Sequence, residues 1–230
     1  MNSSAADRVA LTNATDGFAF GAFRAAPADA RRGGLVLIHE IFGVTGQIRH
    51  LAEGFAADGY ETLAPSLFDR IEPGFEVAAD RAGMARGRRI SEATPWDDVA
   101  GDLQTAVDAL VPPVFVVGYC WGGTAAWLAA CRCTGVAAVS SFYGRRIGEL
   151  IGETPRCPTI LHFGRRDPSI PPTMIDAIGE AHPELPVHLY DAGHGFAADE
   201  RADYAPDPGR LARLRTLALF AREGGGRGDI

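Results

Sequence analysis

Short, continuously apolar runs alternate with longer amphipathic stretches along most of the chain. The runs LVLI, VFVV and TILHF are apolar at nearly every position, as strands covered on both faces are. The pattern predicts strands over Val9–Leu11, Phe18–Arg24, Leu35–His39, Glu61–Ala64, Val114–Tyr119, Ala137–Phe142, Thr159–Phe163 and Val187–Asp191. Asp16-Gly17, between the first two, is a hairpin signal and predicts an antiparallel start. Among the amphipathic stretches, Gln47–Asp58 places Ile48, Leu51, Phe55 and Ala56 on one face, and Gly59 stops it. Trp96–Leu110 repeats the period with Val99, Leu103, Val107 and Leu110, and Pro112-Pro113 ends it. Further helices are predicted over Gly122–Ala130, Pro172–Ala181 and Pro208–Arg222. Such alternation implies an α/β protein with a mostly parallel sheet of about eight strands and helices on both faces. No repeat or linker interrupts it, so residues 1–230 read as one domain.

Two stretches depart from this rhythm. Leu67–Thr94 is rich in Arg, Asp, Glu and Gly with few large apolar residues, which predicts a solvated excursion or cap over a cleft rather than a core helix. EGGGRGDI at residues 223–230 reads as a disordered tail.

Composition narrows the partners. With 47% hydrophobic and 22% charged residues the chain is an ordinary globular sequence, long enough to bury a core. All 22 basic residues are Arg, against 29 acidic ones, for a net charge of −7. Without a basic block this argues against nucleic acid or a membrane surface as partner. A small molecule is the expected ligand, and a monomer or small homo-oligomer the expected state. Cys120, Cys131, Cys133 and Cys157 are too few and too unevenly spaced for a disulfide framework. The N-terminus has neither a basic nor an apolar signal region, and no apolar run approaches the roughly 20 residues of a membrane span. A cytoplasmic location is expected. Cys131-Arg-Cys133 is not a metal-ligand spacing, and no metal or cofactor is called for.

The sharpest chemical feature is Gly118-Tyr119-Cys120-Trp121-Gly122-Gly123, directly after a predicted strand and before an Ala-rich helical run. This is a nucleophile-elbow pattern with Cys in place of Ser: a sharp strand-to-helix turn that tolerates no bulk at its glycines. It puts the thiol at a helix N-terminus, where the dipole and unpaired amides favour negative charge. On its own the pentapeptide equally describes a buried structural cysteine. Asp167, in Arg166-Asp167-Pro168, and His194, in Ala192-Gly193-His194-Gly195-Phe196, each follow the C-terminal end of a late strand. Singly they read as turn residues; together they reproduce the chain order nucleophile, acid, base. The loop His39-Glu40-Ile41-Phe42-Gly43 after the third strand adds a fourth piece. In this pattern the oxyanion donors are one amide from that loop and the amide after the nucleophile, here Ile41 and Trp121.

GYCWGG, HEIFGV, RRDP and AGHGF together resemble the dienelactone hydrolase family, the carboxymethylenebutenolidase-like α/β-hydrolases, over nearly the whole chain. The resemblance implies an α/β-hydrolase fold and a triad of Cys120, Asp167 and His194. It also implies that Glu40 accepts the thiol proton when substrate binds. In the family a substrate carboxylate is held by two arginines, one in the cap and one four residues after the catalytic His. That second position is Ala198 here, which leaves Arg201, with Arg81 or Arg86 in the cap, as the candidate ligands of a carboxylate-bearing substrate. The expectation is therefore a hydrolase of a lactone or activated ester acting through an acyl-thioester. A general carboxylesterase or thioesterase and a non-catalytic ligand-binding relative are the alternatives.

Overall fold

The computed structural model describes residues 6–226. Eight strands form one sheet: β1 (Ala6–Thr12), β2 (Ala19–Ala25), β3 (Gly33–Ile38), β4 (Tyr60–Pro65), β5 (Val114–Tyr119), β6 (Val136–Phe142), β7 (Thr159–Gly164) and β8 (Val187–Tyr190). Their order is β1-β2-β4-β3-β5-β6-β7-β8. Only β2 runs against the rest, pairing antiparallel with β1 and β4. The hairpin turn predicted at Asp16-Gly17 is present, with Gly17 at φ +76°.

The continuously apolar runs are the central strands. Every residue of β3, β5 and β7 is buried. Helix α1 (Gly46–Ala57) covers one face together with the last helix, α6 (Pro206–Arg222), and Arg213 ties the two through Asp58 at 2.6 Å. On the other face lie α3 (Trp96–Asp108) and α4 (Trp121–Arg132), with α5 (Pro172–Ala181) following β7. α4 is buried from Trp121 to Cys131, which is why its sequence is apolar all round rather than striped.

Two expectations need correction. Leu67–Thr94 is neither wholly solvated nor without a helix. Leu67, Phe68 and Phe75 are core residues, and α2 spans Arg81–Ala93. The buried face of α2 is Gly83, Gly87, Ile90 and Ser91, so it holds a helical period in small residues instead of large apolar ones. Asp80 caps it, accepting the Gly83 amide at 2.7 Å. The tail is ordered through residue 226: the Gly225 amide donates to Phe220 O at 2.7 Å, and Tyr60 Oη donates to Gly225 O at 3.2 Å. Residues 227–230 of the expected disordered tail lie outside the described residues. No helix among the described residues is long and apolar enough to cross a membrane.

Candidate active site

The parallel strands end on one rim, and the chemistry-bearing residues meet there. Cys120 occupies the turn between β5 and α4 at φ 56°, ψ −114°, a conformation L-residues adopt only under constraint. Two close approaches provide it. A Cβ on Gly118 would stand 1.8 Å from Gly122 O, and one on Gly122 would stand 2.5 Å from both Ile38 O and His39 O. The helix start is thereby pressed against the end of β3. Cys120 itself is held by its amide, which donates to Phe142 O at 3.0 Å.

His194 arrives on the segment after β8 and Asp167 on the segment after β7. His194 Nε2 lies 3.2 Å from Cys120 Sγ, and His194 Nδ1 lies 2.6 Å from Asp167 Oδ2. Burial works against the charge on His194, but the Cys120 sulfur and the Asp167 carboxylate more than offset it and lift the imidazole to about 10. For Asp167 burial likewise opposes the charge. Bonds from His194 and Ser169 outweigh it and hold the carboxyl below its ordinary range.

The loop after β3 is clamped from outside. A Cβ on Gly87 of α2 would meet Ile41 O at 2.2 Å, and Val77 N donates to Phe42 O at 3.1 Å. On its inner side the Trp121 ring is stacked between His39 and Trp96, each 5.6 Å away. The Ile41 and Trp121 amides have no acceptor among the described residues, and both residues line the cavity above Cys120.

Glu40 is buried near Arg201 and His194. Its Oε2 lies 3.6 Å from Arg201 Nη1, while Oε1 has no partner among the described residues. Burial pushes its carboxyl above the usual range despite Arg201 and His194 pulling the other way. The hydroxyl of Tyr143 and the indole N–H of Trp121 are likewise buried without partners among the described residues. Tyr143 has φ +40° and packs its ring 5.0 Å from that of His194.

The cavity over Cys120 is about 400 Å³. Its walls combine Ile41, Phe42, Met84 and Trp121 with Arg88, Arg145, Arg146 and Arg201. Of the arginines expected from sequence, Arg201 is there. Arg81 and Arg86 are not among the lining residues, and Arg86 pairs with Glu72 at 2.7 Å outside it. The sequence reading missed Arg88, Arg145, Arg146 and Ser169. The adjacent arginines just past the end of β6 were the available signal for two of them.

The family model described as "Dienelactone hydrolase family" matches residues 20–224. The chain belongs to that family. It is thus a hydrolase acting on esters or lactones. A carboxymethylenebutenolidase from Pseudomonas putida is 32% identical over 219 residues, covering 90% of this chain and 92% of the relative. Another, from Pseudomonas sp., is 29% identical over 225 residues, covering 91% and 93%. Among solved structures, a dienelactone hydrolase-like promiscuous phosphotriesterase from metagenomic libraries superposes with a TM-score of 0.74 at 18% identity, covering 96% of this chain and 99% of that one. That likeness concerns the fold alone.

Proposed function

We propose that this family member hydrolyses a carboxylate-bearing lactone or activated ester through a covalent thioester on Cys120. The observation that carries the reading is the continuous set of contacts Sγ–Nε2 and Nδ1–Oδ2, at 3.2 and 2.6 Å, on the floor of the cavity. With the imidazole lifted to about 10, His194 Nε2 holds the thiol proton as Cys120 Sγ attacks the carbonyl carbon. The negative charge that develops on the carbonyl oxygen is received by the Ile41 and Trp121 amides. When the C–O bond breaks, the proton on Nε2 passes to the leaving oxygen, leaving an acyl-thioester. Water, deprotonated by His194, attacks the thioester, and the proton returns to the sulfur as the acid departs. Asp167 keeps the imidazole oriented throughout. Glu40, buried with one unpartnered oxygen, is the second proton acceptor of the site.

The substrate class is supported from two directions. The Pseudomonas relatives carry the name of enzymes that open a carboxymethylene-substituted lactone. The cavity here is lined by Glu92, Glu149 and Asp203 as well as by four arginines, and two of these, Arg88 and Arg145, have no acidic partner among the described residues, which suits a small organic anion. Turnover of 4-nitrophenyl acetate by Cys120→Ala tests the chemistry. We expect a loss of about a thousandfold or more with a cooperative unfolding transition retained. Retained turnover would remove the thiol from the reaction; absence of turnover in the parent protein itself would favour a binding relative.

A further inference from the structure

We propose that Ser169 is a positioning residue of this site, whose hydroxyl holds both the Asp167 carboxylate and the Nδ1–H form of His194. The inference rests on the triad reading above. Ser169 Oγ lies 2.6 Å from Asp167 Oδ1 and 3.2 Å from His194 Nδ1. Its backbone amide donates to the same Oδ1 at 2.8 Å.

Counting protons fixes the polarity of these bonds. A serine hydroxyl carries one proton, and an ionised carboxylate only accepts. The proton therefore lies along the 2.6 Å contact to Asp167, and the hydroxyl turns a lone pair toward His194. A lone pair facing Nδ1 is attractive only when that nitrogen bears hydrogen. The serine thus favours the tautomer that leaves Nε2, 3.2 Å from the Cys120 sulfur, open to receive a proton. It also completes the carboxylate: Oδ2 is occupied by His194 and Oδ1 by two donors from Ser169. Rotation of Asp167 about its terminal torsion would break all three bonds.

Nothing else among the described residues uses this hydroxyl. Ser169 lines the cavity on an exposed turn, and its side chain has no partners there besides Asp167 and His194. Ser169→Ala deletes the hydroxyl and keeps the amide bond to Oδ1, so the loop retains its anchor. Threonine restores the hydroxyl at an exposed position, where the extra methyl faces solvent.

The experiment measures kcat/KM on 4-nitrophenyl acetate across pH for Ser169→Ala, Ser169→Thr, Asp167→Asn and the Ser169→Ala, Asp167→Asn double variant. A hydrogen bond to a charged group predicts a loss of about tenfold in Ser169→Ala. The alkaline limb should move to lower pH as the imidazolium loses an acceptor. Threonine should restore both. In the Asp167→Asn background the alanine substitution should cost less than about twofold, because the hydroxyl acts through the carboxylate. An undiminished Ser169→Ala, an equal loss in both backgrounds, or no recovery with threonine would overturn the proposal. If Cys120→Ala is inactive while Ser169→Ala matches the parent, only the serine role falls. If Cys120→Ala is active, the triad reading falls with it.

Discussion

Arg88 and Arg145 enter the cavity without an acidic partner among the described residues, whereas Arg146 pairs with Glu149 at 2.8 Å and Arg201 faces Glu40. Unpaired guanidinium groups in a partly enclosed cavity are the ones available to a ligand. Replacing either Arg88 or Arg145 with Gln should raise KM for a carboxylate-bearing lactone about tenfold and leave kcat on it little changed. Neutral 4-nitrophenyl acetate should be unaffected. Equal effects on both substrates would deny these residues a role in anion recognition. Cys120, Asp167 and His194 were legible because each stands in a local motif at a strand end. Arg88 was not, because its use depends on the rotation of α2. Met84, Arg88 and Ser91 recur at helical spacing and face the cavity, while Arg86, two residues from Arg88, points to Glu72.

At the scale of elements, the sheet was readable wherever burial on both faces makes a run continuously apolar. β1 extends beyond the predicted Val9–Leu11 because Asp7 and Arg8 pair within the hairpin yet look polar in sequence. α2 was invisible for a different reason. A helix normally announces itself by large apolar residues at its period, but this one lies so close to Ile41 of the loop after β3 and to Ala78 in its own lead-in that Gly87 and Gly83 are needed there instead. Through Gly87 the excursion packs on Ile41 and fixes the loop after β3, and Met84, Arg88 and Ser91 of the same helix line the cavity. The sharp turn at Cys120 was the reverse case, since the glycines around it state the steric demand directly.

Across the whole molecule, buried histidines shape the response to pH. His39 is wholly buried with its ring pushed down to about 4 by burial. His162 is pushed well below its ordinary value by burial and by His188 and Arg215. Its surroundings define a directed chain. Thr216 donates its hydroxyl to Ala212 O at 3.0 Å, so it accepts from Ser140 at 2.7 Å; Ser140 Oγ in turn accepts from His162 Nε2 at 3.1 Å, which leaves Nδ1 to accept from Tyr190 at 2.8 Å, while Arg215 donates to Tyr190 Oη at 2.9 Å. Neither histidine accepts a proton in the folded state near pH 6, yet both do so once unfolded. Their stabilisation is complete above about 6.5 and is lost as pH falls toward their folded values. For His39 alone the span from 6.5 to about 4 corresponds to roughly 3 kcal/mol. Glu40, with its raised carboxyl, opposes this trend in the acid range. His194 has the opposite sign: its raised value stabilises below 6.5, and that contribution is lost as pH climbs toward 10. Urea midpoints should therefore peak near neutrality and fall toward both the mildly acidic and the mildly alkaline side. A midpoint that is flat or rises on acidification from about 6.5 would contradict the assignment of neutral buried histidines.

The covalent step proposed for Cys120 would leave a chemical trace. Mixing the protein rapidly with excess 4-nitrophenyl acetate, quenching in acid during the burst and mapping the digested peptides by mass reads it directly. The geometry at the strand ends predicts one acetyl group on the peptide containing Cys120, with nitrophenol released in proportion to enzyme. An acetyl group carried by another residue, or release of nitrophenol with Cys120 unmodified, would contradict it.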